Sequence, residues 1–221
     1  LVITNEFLMK VKYLCKNVPK VEWSGMLFYN MEGSIKKPDS VILTPTNIFL
    51  RDIGTAGFTD YEYDEECMEF IEKNDLYMSK HGHVHSHNTM NVYFSGTDVE
   101  ELGDNAENHN IYLSLVVNNY MDMVAKVVFI AKPTVMVCAD ENGEEYELET
   151  GGLNKVIVQY DCEVEIPEEE IVVDEQFTTI LKDVAQKSKK KQEEKDKEAK
   201  KRAEEWAQKN KDKDKDKAGG A

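Results

Sequence analysis

Four histidines alternate along His81-Gly-His83-Val-His85-Ser-His87, and after seven further residues comes Ser95-Gly-Thr-Asp98. Side chains repeat every two residues along a strand, so His85 and His87 in H-V-H-S-H-N leave the same face, close enough to share a cation. Asp98 offers a carboxylate as third ligand. Two imidazoles and a carboxylate, with no thiolate, are the donor set of a catalytic zinc. Such a zinc leaves its fourth position to water and brings the water pKa to about 7. That is the chemistry of a hydrolase. His81 and His83 share the same parity, so alternation alone leaves four candidate imidazoles.

Ser95 and Asp98 also have a purely local reading. S-x-x-D ahead of V-E-E-L has the form of a capping box, with Ser95 at the helix N-cap and Asp98 three residues on. An aspartate that holds a metal cannot give the same lone pairs to a backbone N–H.

The segment from His85 to Asp98 resembles the signature of the JAMM metalloproteases, the JAB1/MPN/Mov34 family, written H-x-H-P-x6-S-x-x-D. The spacing agrees at every step, with Asn88 where the family has proline. Glu22-Trp-Ser-Gly25-Met-Leu-Phe is similar to the family's E-x-x-G strand. The resemblance implies one zinc per chain held by His85, His87 and Asp98. It also implies Glu22 as general base and Ser95 as the hydroxyl facing the oxyanion. His83 then stands behind the ligands and His81 at the start of the strand. The implied activity is cleavage of a peptide or isopeptide bond in a protein substrate of ubiquitin-like, sulfur-carrier or phage tail-assembly type. The implied fold is α/β, a mixed sheet sandwiched by helices as in cytidine deaminases. Asn88 predicts a looser loop, because proline would stiffen the chain leaving the strand.

Three rival functions compete with this reading. Zinc deaminases need H-x-E and P-C-x-x-C, and neither is present. Ser95 lies in no nucleophile elbow, which argues against a Ser-His-Asp hydrolase. The alternative that survives is a noncatalytic scaffold of the same fold, which zinc content would discriminate because family scaffolds generally lose ligands.

Periodicity predicts the elements that position these residues. A helix is expected near 5–17, then strands at 25–31 and 40–50, and a loop over 51–62. A second helix is expected near 63–79, with Cys67, Phe70, Ile71 and Met78 inward, leading to the histidine strand at 80–87. A short helix follows Asp98, then strands at 111–117 and 121–131. A hairpin over 132–152 turns at Asn142-Gly143 with type I′ geometry, and a last strand covers 155–164. The resemblance to the JAMM family implies that loop 51–62 and the hairpin set substrate specificity.

Composition bounds this reading. The chain has 221 residues, 41% hydrophobic, enough for one ordinary domain plus an appendage, expected as a catalytic domain over 1–166 and a charged tail over 167–221. Residues 181–221 carry 15 Lys and Arg against 10 Asp and Glu, and residues 1–180 carry 12 against 33. An acidic body would repel nucleic acid, so a protein or peptide partner, particularly a basic one, is expected. The tail reads as a solvated helix that gives way to low-complexity K-D-K-D-K-D-K, with Trp206 as anchor if it docks on a partner. Cys15, Cys67, Cys138 and Cys162 are scattered singly among apolar neighbours and receive no chemical role. No run approaches the ~20 apolar residues of a membrane span, and L-V-I-T-N-E-F-L lacks the pattern of a signal peptide. A soluble cytoplasmic protein is expected.

Overall fold

A computed structural model describes residues 1–54, 64–139, 141–149, 151–152, 155–167 and 175–218. The elements are α1 (Asn5–Asn17), β1 (Trp23–Ser34), β2 (Lys37–Ile53), α2 (Glu65–Lys73), β3 (Lys80–Ser86), α3 (Gly96–Asn108), β4 (Tyr112–Val117), β5 (Met123–Ala131), β6 (Val135–Ala139), β7 (Glu145–Glu149), β8 (Val156–Cys162) and α4 (Glu175–Ala218). Six strands form one mixed sheet in the order β2-β1-β3-β4-β5-β8, parallel only between β3 and β4. The fold is α/β.

Alternation on β1 divides the core. Leu27 and Tyr29 face α1, where they meet Phe7, Val11 and Leu14 together with Val84 and Leu113. Met26 and Phe28 face the other way, onto Cys67, Phe70 and Ile71 of α2. On that second side α3 buries Leu102 and Ala106 against Tyr112 and Val128. Helices therefore cover both faces of the sheet, and β3, histidine-rich and buried, runs through its middle.

Two glycines allow the strands to close around β3. A Cβ on Gly25 would stand 2.5 Å from the Phe49 carbonyl oxygen, and one on Gly82 would stand 2.1 Å from that of Leu113. The register between β1 and β2 shifts at Ser24/Gly25, a bulge beside Glu22.

Several expectations need correction. The second helix stops at Lys73, where Asn74 donates to the Phe70 carbonyl and Asp75 takes φ +52°, so Met78 lies beyond it and is 94% exposed. The third helix ends at Asn108, where the run over residues 99–108 places it, and starts three residues earlier than expected, at Gly96. Strand β2 continues to Ile53, while residues 55–62 of the expected loop lie outside the described residues. Between β6 and β7 the connection is longer than a two-residue type I′ turn, and of the Asn-Gly pair only Gly143 takes a positive φ, +82°. This hairpin forms a two-stranded sheet of its own.

The tail joins the body at its start. Phe177 and Leu181 are buried in the core that α1 caps, and the Phe177 ring meets Tyr13 edge-on at 6.4 Å. Farther along, Lys187 reaches Glu66 of α2 at 2.5 Å and the Ser188 hydroxyl donates to the Ile53 carbonyl. Helix α4 thus covers the β2 edge, which would otherwise expose unpaired backbone groups. It then runs on through the lysine-aspartate repeat to Ala218, where a disordered end was expected. The Trp206 side chain lies outside the described residues. No described helix is long and apolar enough to cross a membrane.

Candidate metal centre

The parallel pair β3 and β4 is linked through α3, and the candidate site lies where β3 ends and α3 begins. His85 projects from β3, and His87 follows the last strand residue, its N–H still donating to the Val117 carbonyl at 2.8 Å. Both are buried. The Nε2 atoms of the two rings are 3.2 Å apart, and Nε2 of His85 is 3.4 Å from Oδ1 of Asp98. One donor atom from each of the three residues falls within 4.8 Å of the others, so His85, His87 and Asp98 could hold a metal ion. Donors about 2.0–2.1 Å from a tetrahedral ion stand about 3.3–3.4 Å apart, so the His85–His87 and His85–Asp98 separations are close to edges of a coordination tetrahedron.

The competition between cap and ligand is resolved by the carboxylate having two oxygens. Ser95 is the N-cap of α3, and the capping box is complete: Ser95 Oγ accepts from the Asp98 N–H at 3.3 Å, while Asp98 Oδ2 accepts from the Ser95 N–H at 2.7 Å. Oδ1 remains directed at His85. The cap aims the candidate ligand. Because the Ser95 hydroxyl only accepts in this bond, its own proton is free to be donated to another group.

His87 is held in a useful tautomer. Its Nδ1 lies 3.1 Å from the Asn91 carbonyl oxygen, which can only accept, so Nδ1 carries the proton and Nε2 presents a lone pair. The Tyr93 ring closes over His87 at 4.9 Å. His85 Nδ1 is buried and has no hydrogen-bond partner among the described residues. Burial, reinforced by His83 and opposed by Asp98, pushes the His85 imidazole down to about 4, so it is neutral at physiological pH.

Glu22 stands one residue ahead of β1 and is held from two strands. The neighbouring Trp23 N–H donates to Ser86 Oγ at 3.0 Å, between the two histidines, and the Glu22 carbonyl accepts from Gly54 at 2.9 Å. Burial raises its carboxyl above the ordinary value, while His87 pulls it down and Asp98 pushes it up. It therefore lies within electrostatic reach of two of the three candidate ligands.

Asn88 does not loosen the loop. It takes φ +57°, its carbonyl accepts from the Asn119 N–H at 2.7 Å, and its side-chain oxygen accepts from Asn119 Nδ2 at 3.1 Å. Proline, restricted to φ near −65°, has no access to this conformation. The rigidity comes from hydrogen bonds instead.

The remaining histidines do other work. His81 packs edge-on against Phe28, and His109 caps the C-terminus of α3 against Tyr112. His83 Nδ1 is 2.9 Å from Glu101 Oε2. Neither Glu101 nor the orienting carbonyl of Asn91 was singled out from sequence. Glu101 had one available signal, its place three residues after Asp98 on the same helical face. No protein-family model matches the chain, nor does any curated protein.

Proposed function

We propose that this protein is a zinc-dependent peptidase or isopeptidase of the JAMM type, with the corresponding JAB/MPN fold. The observation that carries the reading is the pair of donor separations, 3.2 Å between the histidine Nε2 atoms and 3.4 Å from His85 to Asp98, beside a carboxyl whose ionisation burial resists. A zinc ion there supplies Lewis acidity that brings the pKa of water near 7.

The side chains supply the rest. Glu22, with its raised pKa, suits a base that takes a proton at neutral pH and returns it to a leaving amine. Ser95 Oγ, its lone pair engaged by the helix cap, directs its proton toward an oxyanion. His85, kept neutral by burial, and His87 would be the nitrogen donors, and Asp98 would contribute the carboxylate. The test is elemental analysis together with cleavage of a peptide and isopeptide library. About one zinc per chain and metal-dependent cleavage are expected. A folded wild type that binds no zinc when it is supplied refutes the proposal, and zinc without cleavage favours the scaffold.

A further inference from the structure

We propose that His83 and Glu101 form a positioning rung, a strand-to-helix hydrogen bond that sets where Asp98 stands relative to His85. The inference rests on the metal reading above. The ligands come from two elements, His85 from β3 and Asp98 from α3, so their separation depends on how α3 is seated on the sheet. Apolar packing alone seats it loosely: α3 buries only Leu102 and Ala106, and apolar contact is non-directional.

The polar contact beneath the ligands is directional. His83 lies two residues before His85 on the same strand face, and Glu101 lies three residues after Asp98 on the same helical face. Their 2.9 Å contact is therefore a second rung parallel to the 3.4 Å approach of His85 to Asp98. The other oxygen of Glu101 accepts from the Tyr112 hydroxyl at 3.1 Å, which fastens the carboxylate to β4 as well. His83 also acts on the ligand ring itself. The two imidazoles stack at 5.1 Å with 29° between their planes, and among the described residues His85 Nδ1 has none of the hydrogen-bond partners that usually orient a ligand ring. Glu101 and His83 are thus positioning residues and touch no ion themselves.

The test is a cobalt(II) titration of the full chain stripped of metal, read by the ligand-field absorption band and by a competition Kd. Glu101→Ala should weaken cobalt binding about tenfold or more and shift the band, while still reaching one ion per chain at saturation. Glu101→Gln, whose amide oxygen still accepts from His83, should recover most of the loss. His83→Ala cuts the rung from the strand side and should repeat the Glu101→Ala result, so a folding defect in one variant leaves the other to decide. Tyr29→Phe is the control, because it loses a buried hydrogen bond to the Ile111 carbonyl from a ring packed on the α1 side of the sheet, the face opposite α3. It should lower the thermal midpoint and leave Kd and spectrum unchanged. A wild-type Kd and spectrum in Glu101→Ala and His83→Ala, or an equal loss in Tyr29→Phe, overturns the rung. A wild type that takes up no cobalt overturns the metal reading itself.

Discussion

Oδ1 of Asp98 stands 3.4 Å from Nε2 of His85 while Oδ2 of the same carboxylate accepts the Ser95 N–H at 2.7 Å. One side chain closes the helix cap and faces the histidines, so cap and ligand can be separated by substitution. Asp98→Asn keeps an oxygen for the Ser95 N–H and removes the charge. Circular dichroism should show the helix content of the wild type, and elemental analysis should show the metal lost. Full zinc retention in Asp98→Asn would remove Asp98 from the ligand set.

Glu22→Gln separates catalyst from scaffold. The amide preserves shape and removes the proton acceptor, so turnover should fall by roughly 10²–10⁴ with zinc content unchanged. Stability carries an independent sign. A carboxyl whose pKa is raised on folding contributes stability below its unfolded pKa and loses it as pH rises through the folded value. At neutral pH the Gln variant should therefore melt at or slightly above the wild-type temperature. Wild-type turnover in this variant would refute the base assignment.

The metal-free protein should be acid-sensitive in a defined window. Folding lowers the His85 pKa from 6.5 to about 4, so its contribution to stability is whole above 6.5 and is lost as pH falls through about 4. Urea midpoints measured from pH 7 to pH 4 should decline, and more steeply than in His85→Gln. Parallel curves for the two proteins would show that His85 titrates normally.

Truncation should locate where the tail stops contributing. Residues 189–197 of α4 are exposed, so removing residues 189–221 should leave the midpoint nearly unchanged. Removing 175–221 also exposes the sites of Phe177 and Leu181, 4% and 6% exposed, at a cost of about 1.5–3 kcal/mol each. Calorimetry of the two truncations should differ accordingly, and equal midpoints would mean that α4 does not pack in solution.

Asn88→Pro tests the loop that follows the histidines. Proline cannot reach φ +57°, so the substitution should cost roughly 1–3 kcal/mol and weaken metal binding, whereas Asn88→Gly should be tolerated. An undisturbed melt and full metal content in Asn88→Pro would show that the left-handed conformation at residue 88 is not required.

Much of the site was legible because its signals are local. The i, i+2 spacing of His85 and His87, the S-x-x-D cap and the ends of α1 depend on residues within one or two turns of each other, where backbone geometry leaves few alternatives. The same locality explains the misreadings. The end of α2 was misplaced because Asn74 and Asp75 terminate a hydrophobic period that Met78 would otherwise extend. Likewise, Asn88 reads as a loosened proline until Asn119, 31 residues away, is seen to fasten it.

By itself, the sequence determined the donor types, their spacing and the strand and helix that carry them, since those follow from side-chain chemistry and short-range backbone geometry. Only the tertiary structure decided that His85, His87 and Asp98 converge while His83 turns to Glu101, that Asp98 divides its two oxygens, and that Phe177 belongs to the core. Glu22 reaches the site because β1 pairs antiparallel with β3, placing Ser24 opposite His85 across 61 residues of chain. Such contacts are set by strand pairing and by burial of whole faces, which no window of neighbouring residues encodes.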